Sequence, residues 1–126
     1  MRFTELGTQE DVMADRTLQM TLLYDFYGEL LTEHQKKIYE AVIFEDLSYA
    51  EAADQFSVSR QAVHDNVRRT EMLLRSYEEK LGLVDRFVKT KELVKEINDL
   101  AREFGKTGDA ESVRKIAALS EEIGEL

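Results

Sequence analysis

The chain has 126 residues and contains no cysteine, no proline and only six glycines. The absence of cysteine excludes a disulfide framework, a thiolate metal site and a cysteine nucleophile. Without proline, nothing in the composition forces the backbone out of a helix. Stretches with the alternating periodicity of a β-strand are missing as well. The sequence therefore predicts an all-α fold. Its length is enough for one domain with a modest core and an appended helical piece.

Long apolar runs are also missing. No stretch approaches the roughly 18 uninterrupted apolar residues of a membrane span. The N-terminus reads Met-Arg-Phe-Thr-Glu and soon turns acidic, which is not the pattern of a signal peptide. We therefore expect a cytoplasmic protein without a membrane partner.

Residues suited to catalysis are few and scattered. The two histidines, His34 and His64, lie far apart in sequence and lack companions with metal-ligand spacing. Gly105-Lys106-Thr107 resembles the end of a phosphate-binding loop, but Leu100 stands where that motif needs another glycine. No strand-turn-helix context would activate a serine. We predict no catalytic residue, no metal ligand and no cofactor, and hence a protein that is not an enzyme.

The charge is unevenly distributed. The net charge is −9, the wrong sign for a protein that binds phosphate backbones. Residues 57–91 nevertheless carry eight basic and five acidic groups, a net charge of +3, whereas residues 15–56 carry −6 and residues 92–126 carry −4. The only net-positive segment indicates a local patch that can meet an anion, although its acidic flanks would repel a nucleic acid.

That positive segment begins inside a recognisable motif, which runs from Leu47 to Met72. Ser48 and Glu51 have the spacing of a capping box, which predicts the start of one helix. Ser59 can cap a second helix by accepting from the N–H groups two and three residues on. Two short helices joined by a tight turn form the helix-turn-helix pattern, in which the second helix can lie in the DNA major groove.

The second helix of the motif carries the candidate binding residues. Ala62, Val63 and Val67 are predicted to face inward, which leaves its polar side chains on the outer face. We predict a nucleic-acid or partner-binding site formed by seven residues: Ser59, Arg60, Gln61, His64, Asn66, Arg68 and Arg69. Arg60, Gln61 and His64, near the start of the helix, would reach base edges. Arg68 and Arg69 would lie near phosphates or face an acidic protein.

Two other interpretations stay open for these side chains. Asn66 could be internal and bond the backbone at the end of the motif. The exposed polar residues could also do no more than keep the helix soluble, which is the usual role of such a face.

Helices are also predicted on either side of the motif. A first amphipathic helix begins near Thr17, with apolar positions at Leu18, Leu22, Leu23, Phe26, Leu30 and Leu31. Tyr24 and Tyr27 are predicted to lie towards its flank. Thr32 and Gln35 form a second candidate capping box. The helix that starts after Ser59 can continue to Gly82, a candidate C-cap.

Beyond residue 83 we predict a helical hairpin. Its first helix spans Val84–Phe104, a loop covers residues 105–108, and Asp109 or Ser112 opens the last helix. The hairpin would pack back on the preceding helices or pair with another copy of the chain. The predicted organisation is a disordered extension or start-site artefact at residues 1–14, a helix-turn-helix domain at 15–83 and the hairpin at 84–126.

Three stretches resemble known proteins: Y-D-F-Y-G-E-L-L-T-E-H-Q (Tyr24–Gln35), V-S-R-Q-A-V-H-D-N-V-R-R-T-E (Val58–Glu71) and Y-E-E-K-L-G-L (Tyr77–Leu83). Residues from about Thr17 to Leu83 resemble region 4 of bacterial sigma factors, which reads the −35 promoter element. They are more similar still to the YlxM family of helix-turn-helix proteins. One departure is Ser57, which stands where the motif turn usually has glycine and makes a left-handed conformation less comfortable.

The resemblance implies a sigma-region-4-like bundle and a function. Proteins of the YlxM family are small and cytoplasmic and are associated with the signal recognition particle, since they are encoded beside the genes for its GTPase and receptor. The implied function is regulatory or accessory in that pathway, through the helix-turn-helix surface. The alternative is a DNA-binding transcriptional regulator of sigma-region-4 type unrelated to the particle. The expected partners are components of the particle, DNA and, through the hairpin, a second copy of the chain.

Overall fold

The computed structural model describes residues 15–126, so the extension predicted at residues 1–14 lies outside the described residues. Within that range the chain forms helices and no strand, which confirms the all-α prediction. None of the described helices is both long and apolar enough to cross a membrane. The six α-helices are α1 (Arg16–Tyr27), α2 (Glu33–Tyr39), α3 (Tyr49–Phe56), α4 (Arg60–Leu81), α5 (Leu83–Thr107) and α6 (Ala110–Gly124).

Two short irregular helices extend this set. A 3-10 turn at Gly28–Leu30 follows α1, and a π-helical turn at Glu40–Phe44 follows α2. The chain divides into two compact units. One is Thr17–Gly82, which holds α2, α3, α4 and nearly all of α1, and the other is built on Leu83–Leu126 with α5 and α6.

The core of the Thr17–Gly82 unit departs from the predicted apolar face of α1. Leu22, Leu23 and Leu31 are buried as predicted, but Phe26 and Leu30 are 37% and 58% exposed. Tyr27, which was predicted on the flank of the helix, is instead 1% exposed.

Two features of the structure explain this exchange. The Tyr27 hydroxyl donates to Glu78 Oε1 of α4 at 2.5 Å, so the ring can be buried with its polar tip satisfied. The 3-10 turn has three residues per turn, which breaks the four-residue spacing and turns Leu30 outward.

Tyr24 connects α1 to α2. Its ring stacks on that of Tyr39 at a centroid distance of 5.6 Å, and its hydroxyl donates to the Glu40 carboxylate. Burial of the ring edge, followed by the hydrogen bond and the negative charge of Glu40, raises the pKa of Tyr24 well above its ordinary value. The protonated hydroxyl therefore holds α1 to the start of the π-helical turn that follows α2.

The predicted helix starts are confirmed. Thr32 and Gln35 form a capping box at α2, as do Ser48 and Glu51 at α3. Ser59 Oγ accepts from the Ala62 N–H at 3.0 Å and caps α4. The helix-turn-helix motif is thus α3, the turn at residues 57–59 and α4.

The predicted end of α4 is also confirmed. Gly82 takes a φ of +64° and its N–H donates to the Glu78 carbonyl at 2.8 Å. The predicted loop at residues 105–108 is wrong in part, because α5 continues to Thr107 and only Gly108, at a φ of +69°, breaks the helix. Asp109 then caps α6 by accepting from the Glu111 N–H at 3.0 Å. A single glycine inside a helix costs only about 1 kcal/mol of stability. At Gly105 the helix-favouring residues around it offset this cost, so the helix continues.

The turn between α3 and α4 depends on a strained residue. Ser57 has φ +56° and ψ +44°, and the N–H groups of Ser57 and Val58 both donate to the Ala53 carbonyl. A left-handed conformation costs an L-residue roughly 1–2 kcal/mol, whereas glycine adopts it freely. The chain therefore keeps the geometry of a glycine turn without the glycine.

The strain gives a direct stability prediction. Ser57→Gly should raise the free energy of unfolding by about 0.5–1 kcal/mol, because the relief of strain exceeds the added backbone entropy of the unfolded chain. Urea denaturation measures the change. Ser76→Gly, the same substitution in the middle of α4, should lower that free energy by about 1 kcal/mol. A loss of stability in both variants would contradict the account.

Candidate nucleic-acid interface

The recognition helix α4 is held by its inner face. Ala52 and Ala53 of α3 are 0% and 6% exposed, and Val63 and Val67 of α4 have the same two values. Alanines let two helix axes approach closely, so a small contact surface fixes the crossing of α3 and α4. The side of α4 that points away from this contact is left to solvent.

The seven predicted site residues do not form one surface. Ser59 is the N-cap of α4, and Arg60, Gln61, His64 and Arg68 are exposed. Residues 60, 64 and 68 are four apart, so they follow one another along the same side of the helix. We call Arg60, Gln61, His64 and Arg68 the outer face. Asn66 and Arg69 lie on a different side, which borders a cleft.

The cations of both groups are available to a ligand. Among residues 15–126 no ion pair involves Arg60, Arg68 or Arg69, whereas Arg75 further along α4 lies 3.4 Å from Glu71. Asp65 is the only acidic residue between positions 57 and 70. Its carboxylate accepts from Gln61 Nε2 at 2.9 Å and lies 3.6 Å from His64 Nδ1. These contacts orient Gln61 and His64 and leave the arginines uncompensated.

The His64 ring is further fixed from the first helix of the motif. It meets the ring of Tyr49 edge-on, at a centroid distance of 5.5 Å and an interplanar angle of 78°. Tyr49 is the first residue of α3 and is 40% exposed. A ligand that reaches the outer face would therefore meet Gln61 and His64 in defined positions.

The cleft lies between the start of α2 and α4, entirely within the Thr17–Gly82 unit. It has a volume of about 340 Å³ and is lined by His34, Gln35, Ala62, Asp65, Asn66 and Arg69. Ala62 was predicted to face inward, and this prediction is wrong, since the residue is exposed on the rim of the cleft. The cause is the open cleft between α2 and α4, which Ala62 lines.

The cleft offers hydrogen-bond donors and, on Asp65 and Asn66, acceptors. The Gln35 carbonyl oxygen already accepts from the Thr32 N–H at 3.0 Å, which leaves the amide N–H groups of Gln35 to donate. Arg69 adds a guanidinium group and His34 an imidazole ring. Asn66 Oδ1 is buried and has no hydrogen-bond partner among the described residues. Asn66 is therefore half-buried at the cleft. This lies between the two placements that the sequence left open, internal and exposed.

His34 and Gln35 were missed as site residues by the sequence reasoning. Nothing in their spacing relates them to positions 62–69. The one available signal was the capping box at Thr32, which places both residues in the first turn of a helix that packs on α4.

The arrangement suits recognition better than catalysis. Arginine, glutamine and histidine side chains can meet base edges, and arginine with amide donors can hold a phosphate group. No group of three or more residues with metal-ligand chemistry occurs in residues 15–126.

Comparison with known protein families identifies the family of this chain. A family described as "Putative helix-turn-helix protein, YlxM / p13 like" matches residues 14–113, which include the complete helix-turn-helix motif and the start of α6. The chain belongs to this family, UPF0122. The resemblance to YlxM proteins inferred from three stretches of sequence is thereby confirmed, and so is the helix-turn-helix character of the fold.

Individual UPF0122 proteins are similar over most of their length. The UPF0122 protein GK1195 of Geobacillus kaustophilus is 43% identical over 115 residues, which cover 90% of this chain and 99% of the relative. The UPF0122 protein BH2485 of Halalkalibacterium halodurans is 47% identical over 87 residues, 69% of this chain and 80% of the relative. The UPF0122 protein ABC2295 of Shouchella clausii is 48% identical over 85 residues, 68% of this chain and 78% of the relative.

The unpartnered oxygen of Asn66 gives a prediction. Asn66→Ala should leave the free energy of unfolding unchanged or raise it by about 0.5 kcal/mol, because no hydrogen bond is lost and alanine favours the helix. Ser59→Ala, which removes the cap of α4, should lower it by about 1 kcal/mol. Thermal or urea unfolding compares the two. A loss of 1 kcal/mol or more for Asn66→Ala would mean that the amide is bonded inside the folded protein.

Proposed function

We propose that this UPF0122 protein is an accessory or regulatory protein of the signal recognition particle pathway that binds nucleic acid through the outer face of α4. The observation that carries the binding part is the pair of arginines at positions 60 and 68, which form no ion pair within residues 15–126 and stand on a helix fixed from behind. Arg69, also without an ion pair in that range, adds a third cation on the neighbouring cleft side. The pathway assignment rests on the resemblance to YlxM proteins.

The charge balance defines what kind of binding this surface can support. The Thr17–Gly82 unit carries seven basic and twelve acidic side chains, a net charge of −5. A negative unit gains little from non-specific attraction to phosphates. The affinity would come from a few direct contacts with side chains of α4. Binding would therefore be selective for a ligand that makes all of these contacts.

The salt dependence follows from the same reasoning. Each phosphate contact contributes a slope of about −0.9 to the logarithmic plot of affinity against salt for duplex DNA, and about −0.7 for a single strand. Three arginines therefore give a slope no steeper than about −3, which is shallow for a nucleic-acid-binding protein.

A DNA-binding transcriptional regulator unrelated to the particle is the second candidate. The exposure of Arg60 and Gln61 directly after a capped, tight turn favours it, because residues at the start of a recognition helix reach base edges in the major groove. This function needs duplex DNA as the ligand, whereas the first is satisfied by RNA of the particle.

A capture experiment separates the two candidates. The full chain is immobilised and exposed to native extract, with parallel samples treated with ribonuclease or deoxyribonuclease. Recovery of the particle that is lost after ribonuclease treatment would support the first function. Recovery of duplex DNA alone, insensitive to ribonuclease, would support the second, and recovery of neither would contradict both.

A single substitution tests whether the outer face is the binding surface. Arg68→Ala should weaken binding of the captured nucleic acid by about tenfold and, if Arg68 meets a phosphate, make the salt slope shallower by about 1. Fluorescence anisotropy at several salt concentrations measures both quantities.

Lys80→Ala provides the matched control, since it removes one exposed positive charge from the last turn of the same helix. It should change the affinity by less than about twofold, because charges separated by more than a Debye length are largely screened. Equal losses in the two variants would mean that only the overall charge matters, and the assignment of the outer face would be wrong.

A further inference from the structure

The hairpin of α5 and α6 has the pattern of an antiparallel coiled coil. The two helices pack along one another and are joined only by Gly108 and Asp109, so they run in opposite directions. Apolar residues recur at alternating intervals of four and three, which are the a and d positions of a heptad. They are Leu93, Ile97, Leu100 and Phe104 of α5, and Ile116, Leu119 and Ile123 of α6.

The register of the hairpin is internally consistent. Counting outward from Gly108 places Leu100 opposite Ile116, Ile97 opposite Leu119, and Leu93 opposite Ile123. Each a position then meets a d position of the other helix. We call this line of residues the seam.

The residues of the seam are only partly buried. All of its residues on α6 are half-buried, and Phe104 is 42% exposed. The only buried residue among the fifteen of α6 is Ser112. Among the described residues, α5 and α6 therefore leave much of their shared apolar stripe accessible.

One side of the hairpin carries no charge. In an antiparallel pair, equivalent heptad positions of the two helices lie on the same side of the seam. The e and b positions form one such side, which we call the neutral flank. It consists of Val94, Asn98, Ala101 and Gly105 from α5, and Ala110, Val113, Ala117, Ser120 and Gly124 from α6.

The composition of the neutral flank is unlike that of the rest of the hairpin. Fourteen of the 35 residues from 92 to 126 are charged, and none of them lies on this flank, although every residue of the flank is exposed. The opposite flank, by contrast, carries Glu96, Glu103, Lys115 and Glu122 at its g positions. A solvated helix face usually carries such charges, so their absence from one side indicates that this side is covered.

We propose that the neutral flank is an interface with a second copy of this chain, and that two hairpins form an antiparallel four-helix bundle. The flank has no charge with which to attract a nucleic acid or a charged amphipathic helix. Two identical neutral flanks complement each other about a two-fold axis, as an isologous interface requires. The inference goes beyond the proposed function and does not depend on it.

Charge and side-chain size both favour this occupant. Residues 92–126 carry a net charge of −4, which would separate two copies if it stood on the contact surface. The acidic side chains at the g positions instead lie on the opposite flank, away from the contact. Alanine, glycine and serine at the contact allow close approach of the helices, and Val94 and Val113, which are 40% and 48% exposed, provide the apolar area.

The size of the flank sets the strength of the dimer. A helix of this length spans about 22 Å, and two helices side by side are about 20 Å wide. The contact of about 440 Å² per copy is below the roughly 800 Å² of a standard interface. The dimer is therefore expected to be weak and to dissociate reversibly on dilution.

The test uses two adjacent alanines on opposite sides of α6. Ala117 lies on the neutral flank and Ala118 on the charged side, and both are exposed. In sedimentation equilibrium of the full chain, Ala117→Glu should raise the dissociation constant of the dimer at least about tenfold, because each copy then buries an unpaired carboxylate in the contact. Ala118→Glu should change it by less than about twofold.

Circular dichroism checks that neither substitution unfolds the chain. Both substitutions are at exposed helical positions and should leave the helix content unchanged. A wild-type chain that stays monomeric across the whole concentration range would overturn the proposal. So would equal effects of the two substitutions on the dissociation constant, or dissociation caused by Ala118→Glu alone.

Cross-linking gives a second readout. Because the chain has no cysteine, Ala117→Cys and Ala118→Cys each introduce a unique thiol. A short thiol-reactive cross-linker should join Ala117→Cys chains into dimers much faster than Ala118→Cys chains. Equal rates would overturn the proposal.

Discussion

The close crossing of α3 and α4 is the constraint on which the recognition surface depends. Ala52 and Ala53 allow the approach, Val63 and Val67 fill the contact, and the left-handed conformation of Ser57 turns the chain between the helices. This contact uses only one side of α4. The outer face lies on another side of the helix and is therefore exposed. Larger residues at the alanine positions would separate the helices and change the angle at which α4 is presented.

This constraint explains how an acidic protein can present an exposed cationic surface. The unit from Thr17 to Gly82 is negative overall, but the acidic residues nearest the recognition helix are engaged by neighbours, Asp65 by Gln61 and Glu71 by Arg75. Arg60, Arg68 and Arg69 are left without ion pairs in the described part of the chain. Local geometry therefore creates a cationic surface that the composition alone opposes.

The sequence predicts local features well, because their causes lie within a few residues. The capping boxes at Thr32 and Ser48, the cap at Ser59 and the end of α4 at Gly82 each require only side chains and backbone groups one turn apart. The all-α class follows from composition and periodicity, and the family from three stretches of residues.

Features that depend on distant contacts could not be predicted in this way. Tyr27 replaces Phe26 and Leu30 in the core because its hydroxyl finds Glu78, 51 residues further along the chain. The cleft brings His34 and Gln35 to Asn66 and Arg69 through the packing of α2 on α4, and no spacing in the sequence encodes that meeting. The division of the seven candidate residues into an outer face and a cleft has the same origin.

The central claim is that the outer face of α4 is the surface that binds nucleic acid. Backbone amide chemical shifts of the full chain, followed by NMR during titration with the nucleic acid captured from extract, test it most directly. The account predicts the largest shifts between Ser59 and Arg69, with smaller ones at His34 and Gln35. Shifts confined to other helices, with the amides of residues 59–69 unchanged at saturation, would contradict it.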